Sequence, residues 1–244
     1  MLPAMKKQRS KQRALPRGRD AQSAFTMATS DDIRRALERV DLDVGWDQLA
    51  PSILPLLPRR IPSPIRAGTP VQAMLGPGIV VGFGIDFGPA FATVTRDLAE
   101  RWGVTDGDVV AKALANVRGL AAELPPRAVK RVDLDEGVVV RILQSGAGWA
   151  SGLVVVPDLL PRFFGPGPHL VGAPCRDVVM AFAEDTSLDL VFDLVESLAW
   201  ADPVGLVPAC FRHFDGDLEP VLASVPGAVV APQRESSSRP RFVS

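Results

Sequence analysis

Residues 79–87 alternate with a period of two. Ile79, Val81, Phe83, Ile85 and Phe87 point one way, and Val80, Gly82, Gly84 and Asp86 point the other. A chain carrying such a segment has to build a sheet with one apolar face turned to a core. Two glycines inside a strand weaken it, so they mark a close approach on the face that carries Asp86. A tightly packed helix is the expected occupant of that face, and a ligand site bordered by Asp86 is the alternative.

The remaining pattern supplies both element types. Segments 138–143, 153–156, 177–183 and 208–214 read as further strands. Thr29 or Ser30 caps a helix whose stripe is Ile33, Ala36, Leu37 and Val40. A helix over 95–102 stops at Gly103. Thr105 caps the next with Asp108 in a capping-box arrangement, and Val110, Ala113, Leu114, Val117 and Ala121 form its apolar stripe until Pro125-Pro126 ends it. A short helix over 158–164 runs into Gly165-Pro166-Gly167-Pro168. From Asp185 or Thr186 a last helix carries Leu188, Val191, Leu194, Val195 and Leu198 on one side. Six prolines between Pro51 and Pro70 forbid regular helix there, and the stretch reads as an extended connector on the surface. Strands and helices do not alternate at constant spacing. The expected fold is therefore α+β, a mainly antiparallel sheet with helices packed on its faces.

Charge divides the chain. Residues 1–26 hold Lys6, Lys7, Arg9, Lys11, Arg13, Arg17 and Arg19 against the single acid Asp20, although the whole chain carries a net charge of −1. The rest is acidic and would repel a phosphate backbone, so nucleic acid is an unlikely partner except through the basic tail. Residues 1–28 read as a disordered basic tail, 29–230 as one α+β body with a possible sub-boundary near 125–136, and 231–244 as a disordered C-terminal tail. No apolar run reaches the length of a membrane span. Two cysteines make no disulfide framework, which points to a reducing cytoplasm.

Motifs with chemical content are short. Gly84-Ile85-Asp86-Phe87-Gly88 is similar to the phosphate-1 loop of the actin and sugar-kinase fold, but Pro89 stands where that loop needs a hydroxyl and an N–H. It also matches the Asp-Phe-Gly of protein kinases, without the Gly-rich loop, strand lysine or catalytic-loop Asp that must precede it. A strand ending in a turn is the simpler reading. Cys175, Cys210, His169 and His213 offer four zinc-ligand types, yet only Cys210-x-x-His213 has ligand spacing, and in a strand that pair faces opposite ways. Buried thiols without a metal are expected. Cys175 with a histidine is the one nucleophilic pair worth naming, with Arg176 placed to lower the thiol pKa. Asp133, Asp135 and Glu136 read as a solvated turn rather than an acid/base pair. No cofactor is expected.

Four segments taken together resemble a known family. They are Leu57-Pro58-Arg59-Arg60-Ile61; Ile85-Asp86-Phe87-Gly88 with Trp102-Gly103-Val104-Thr105 and Ala115-Asn116-Val117; Trp149-Ala150-Ser151; and Val171-Gly172-Ala173-Pro174-Cys175-Arg176-Asp177-Val178. In this order, over roughly residues 50–215, they resemble the YtpQ-like family of bacterial proteins of unknown function. The resemblance implies a cytosolic protein with no established activity, cofactor or catalytic residues. A histidine is usual in that family where Cys175 stands, which argues against thiol chemistry.

The expectation is an interaction or regulatory protein, with an unidentified protein as its partner. The alternative is a hydrolase-type enzyme whose site is assembled from Asp86, Cys175, Arg176 and Asp177.

Overall fold

The computed structural model describes residues 44–58, 68–74, 80–87, 91–134, 137–202 and 205–221. The helix expected at 31–40, both terminal tails and Ile79 lie outside the described residues. The fold is α+β with two antiparallel sheets.

A short helix α1 (Trp46–Leu49) leads into the first sheet, built from β1 (Ile53–Leu56), β2 (Gln72–Met74), β3 (Val80–Asp86) and β4 (Phe91–Thr93). The alternating strand β3 is its centre. It pairs with β1 on one side, and with β2 and then β4 on the other. Val81, Phe83 and Ile85 are fully buried, as the alternation predicts. The reading of 51–70 as a surface connector is corrected: β1 lies within it, with Ile53 and Leu54 buried. Pro55 is compatible with a strand here because β1 runs along the edge of its sheet, where a missing N–H need not break the ladder.

The glycine face also departs from expectation. A Cβ at Gly84 would lie 2.5 Å from Leu56 Cδ1 and 3.1 Å from Phe91 Cδ1. Side chains of the neighbouring strands β1 and β4 close over Gly84, and no described helix occupies the space.

Helix α2 (Arg96–Trp102) is capped by the Thr95 side chain and ends at Gly103, whose φ of 70° suits glycine. Helix α3 (Asp106–Glu123) begins with the predicted Thr105–Asp108 capping box. Its buried line is Val109, Ala113, Val117 and Ala121, while Val110 and Leu114 are half-buried, so the inward face is turned slightly from the expected stripe. Asn116 fixes α3 on the first sheet by donating to the carbonyls of Ala50 and Ile53 at 2.8 and 2.9 Å.

The second sheet has six strands: β5 (Val129–Asp133), β6 (Val139–Gln144), β7 (His169–Cys175), β8 (Val178–Ala183), β9 (Cys210–Phe214) and β10 (Asp217–Val221). Their order is β10-β9-β7-β8-β6-β5. A two-residue turn at Asp215-Gly216, both with positive φ, closes the β9–β10 hairpin. The segment 153–156, read as a strand, is instead part of a 3₁₀ helix over Ala150–Val155. All six of its residues are buried, and a fully buried apolar run carries no periodicity to separate strand from helix. Next comes a helix α4 (Leu160–Phe164), close to expectation.

Helix α5 (Leu188–Ala201) lies across β7 and β9. Val191, Val195 and Ala199 form its buried line, Leu194 is half-buried, and Leu198 is 42% exposed, against the reading that put Leu198 in the core. The close helix–sheet approach expected at Gly84 occurs at Gly172 instead. A Cβ there would overlap Val195 Cγ2, so only glycine admits the helix at this depth. The main core draws on both sheets, joining Phe83 and Ile85 to Leu143, Val171 and Phe211. A second core, including Leu170, Cys175, Met180, Phe182, Val191 and Val195, lies between the six-stranded sheet and α5. No helix among the described residues is long and apolar enough to cross a membrane.

Gly172→Ala is expected to destabilise the protein by about 1–2 kcal/mol, overpacking against Val195 exceeding the gain from a stiffer unfolded chain. In the Gly172→Ala, Val195→Ala double variant the two costs should add to less than their sum, because the second change vacates the space that the first one fills. Urea midpoints of the four proteins in this cycle measure it; strict additivity would mean the two residues do not touch.

Candidate functional site

Strand β3 ends at Asp86, and the β7–β8 turn is made of Arg176 and Asp177. Packing of the two sheets brings these three residues together. Arg176 Nη2 lies 3.7 Å from Asp86 Oδ1, with the two side chains only 14% and 18% exposed. The guanidinium carbon of Arg176 stands 3.6 Å from the centroid of the Phe91 ring, and Phe91 is the cross-strand partner of Asp86. Arg176 Nε donates to the carbonyl of Gly148 at 3.2 Å, and the Arg176 carbonyl accepts from Ser151 N at 2.9 Å. One arginine thus ties the first sheet to the 145–151 loop and to the hairpin of the second sheet.

Asp177 works on that loop from the other side. Its carboxylate accepts from Ser145 Oγ, from Gly146 N at 3.1 Å and from Gly148 N at 2.9 Å. Gly148 has φ of 73°, and a Cβ on it would lie 2.7 Å from Arg176 Nη2. The backbone favours glycine here, and a Cβ would also push the guanidinium from its place.

Of the four site residues singled out in the sequence, the structure brings Asp86, Arg176 and Asp177 together and separates Cys175 from them. The register of β7 against β8 shifts between Gly172 and Cys175. Val171 and Ala173 face the main core, but the bulge sends the Cys175 side chain into the second core below α5. Burial pushes its thiol pKa up to about 12; a hydrogen bond from the Asp177 backbone acts the other way, and the charge of Asp202 adds to the rise. Burial does the same for Cys210. Both cysteines are buried and free, as expected, and a thiolate at Cys175 is disfavoured despite the neighbouring Arg176.

His169 and His213 are cross-strand partners in β7 and β9, their rings stacked 6.3 Å apart. His169 meets the carbonyl of Gly165 at 3.1 Å. His213 is 1% exposed, and neither ring nitrogen has a hydrogen-bond partner among the described residues. Burial, followed by the neighbouring His169, lowers its pKa below 6.5; the backbone of Pro157 and Gly167 and the charge of Asp215 act weakly the other way. No group of three or more His, Cys, Asp and Glu among the described residues could hold a metal ion. Asp133 is the last residue of β5, paired with Arg131, rather than part of a turn; Asp135 and Glu136 lie outside the described residues.

The sequence does not single out Phe91, Ser145 and Gly148. Ser145-Gly146-Ala147-Gly148 is visible as a turn, but its link to Asp177 arises only because β6 and β8 pair, with Gln144 opposite Val178.

Two outcomes test this geometry. Asp177→Ala leaves the amides of Gly146 and Gly148 without their acceptor and should cost about 1–3 kcal/mol in urea denaturation, with faster hydrogen exchange at Gly148. A loss below about 0.5 kcal/mol, as for an ordinary surface change, would show that the loop stands without it. The second outcome concerns pH. Above 6.5, His213 is neutral folded and unfolded, and its contribution is constant. Below 6.5 the unfolded chain takes up the proton first, so stability falls as pH drops toward the lower folded pKa, by up to about 1.4 kcal/mol per pH unit. His213→Phe should remove this component between pH 7.5 and 5.5. Equal losses in the two proteins would assign the acid sensitivity to other groups.

No family model, curated protein or solved structure matches the chain. The likeness to the YtpQ-like family rests on the sequence segments alone.

Proposed function

We propose that the chain is an interaction or regulatory protein of the cytoplasm, of YtpQ-like type, without a conventional catalytic site, acting on an unidentified protein partner. One observation carries this reading: the polar residues best suited to catalysis are engaged in holding the fold. Asp86 and Arg176 face each other across the two sheets at 3.7 Å, and Asp177 accepts three hydrogen bonds from the loop it anchors. Cys175 is buried on the other side of its sheet with a thiol pKa of about 12, far from the value a nucleophile needs at neutral pH. Charges paired in this way supply rigidity, and they would have to be broken apart to act on a substrate.

The competing reading is a hydrolase with its site at Asp86, Arg176 and Asp177. The purified protein, its Asp86→Asn variant and its Asp177→Asn variant are assayed on ester, amide and phosphomonoester substrates, and their urea midpoints are compared. No turnover is expected, and Asp86→Asn should lose about 1–3 kcal/mol of stability, since the partly buried Arg176 then loses the charge that faces it across the two sheets. Turnover that falls at least about tenfold in a variant of undiminished stability would establish the hydrolase instead.

A further inference from the structure

Strand β5 lies at one end of the six-stranded sheet and has β6 as its only strand partner among the described residues. The hairpin geometry decides which of its backbone groups are free. Leu134 N donates to the Val138 carbonyl at 2.7 Å, and Val132 and Lys130 stand opposite Val140 and Ile142 in the same register. Hydrogen-bonded pairs alternate along an antiparallel ladder, so Leu134, Val132 and Lys130 bond inward to β6. Val129, Arg131 and Asp133 present their N–H and C=O groups to the outer edge, which no other described strand covers.

We propose that this edge pairs with the same edge of a second copy of the chain, giving a two-fold dimer in which one sheet runs through both molecules. Outward groups must meet outward groups, which leaves few registers. Centring the two-fold axis at Val132 sets Arg131 of each copy opposite Asp133 of the other, so two opposite charge pairs form across the junction. Both residues are solvated, 68% and 69% exposed, and among the described residues they pair with each other within the strand, Arg131 donating to Asp133 at 2.9 and 3.1 Å. Their exchange between copies therefore needs little desolvation.

The same register brings Val132 against Val132 at the axis. This side chain is 38% exposed, although its cross-strand neighbour Val140 is 2% exposed and belongs to the second core. The dimer extends that apolar face over both copies. Charged edge residues generally block strand addition, but here they cancel only against an antiparallel copy in this register, which selects the partner. The opposite edge does not offer this: Pro220 in β10 stands at a position facing outward and has no N–H to give. A single strand pair buries less than a standard interface, so the dimer is weak and depends on concentration.

Sedimentation equilibrium of the full chain over a concentration series tests the proposal. The weight-average mass should rise from 26.1 kDa toward twice that value. Arg131→Asp or Asp133→Arg alone places like charges opposite each other and should weaken self-association at least about tenfold. The double exchange Arg131→Asp, Asp133→Arg restores it, and the two single variants mixed together associate with each other. Thermal melts of each variant check that it is folded. A wild-type chain that stays at monomer mass throughout, self-association unchanged by the single substitutions, or single variants that do not associate on mixing would each overturn the proposal.

Discussion

Strand β7 is enclosed on both faces along all seven of its residues, and the arrangement of the molecule follows from that enclosure. One face looks into the main core shared by the two sheets, and the other meets α5. A strand in this position needs small residues wherever a neighbour comes closest, and Gly172 and Ala173 provide them. The helix settles against Gly172 with Val195, and Gly205 lets the chain return tightly beneath Ala199. Apolar burial on both sides supplies the main stabilisation, and the β7–β8 turn then projects from a rigid support.

That support explains why the charged residues of the turn act as fasteners. Arg176 reaches Asp86, the Phe91 ring and Gly148 together, and Asp177 gathers the start of the 145–151 loop. Partial burial makes each of these contacts stronger than it would be in water and makes the loss of one partner costly. A charged cluster can look catalytic in sequence and still be structural. The difference lies in whether its lone pairs and protons are already committed.

Elements whose apolar residues recur at the period of a strand or helix were legible, and several others were not. Strand β3 and helix α3 carry that period in their sequence, and β8 was legible from its apolar run although it has almost no exposed side. Strand β7 and the 3₁₀ segment 150–155 have no exposed side, so their runs of apolar residues carry no period. Strand β1 was hidden by Pro55, which an edge strand tolerates and a central one does not. In the site, Asp86, Arg176 and Asp177 were visible as residue types, and their convergence was not. It depends on how two sheets pack, a property of no single window. Gly84 taught a narrower lesson: a strand glycine marks a close approach, but its neighbours along the sheet can be the cause.

The bulge near the end of β7 has a consequence for how this architecture could change. One extra residue decides which side of the sheet receives the Cys175 side chain. Deleting one residue there would remove the bulge, and the cysteine would then follow Gly172 by two places, on the same helix-facing side as now. Closing the bulge without losing a residue would set it three places on, facing the main core instead. The side on which the sulfur lies is therefore fixed by how the strand pairs, with no change of side chain required.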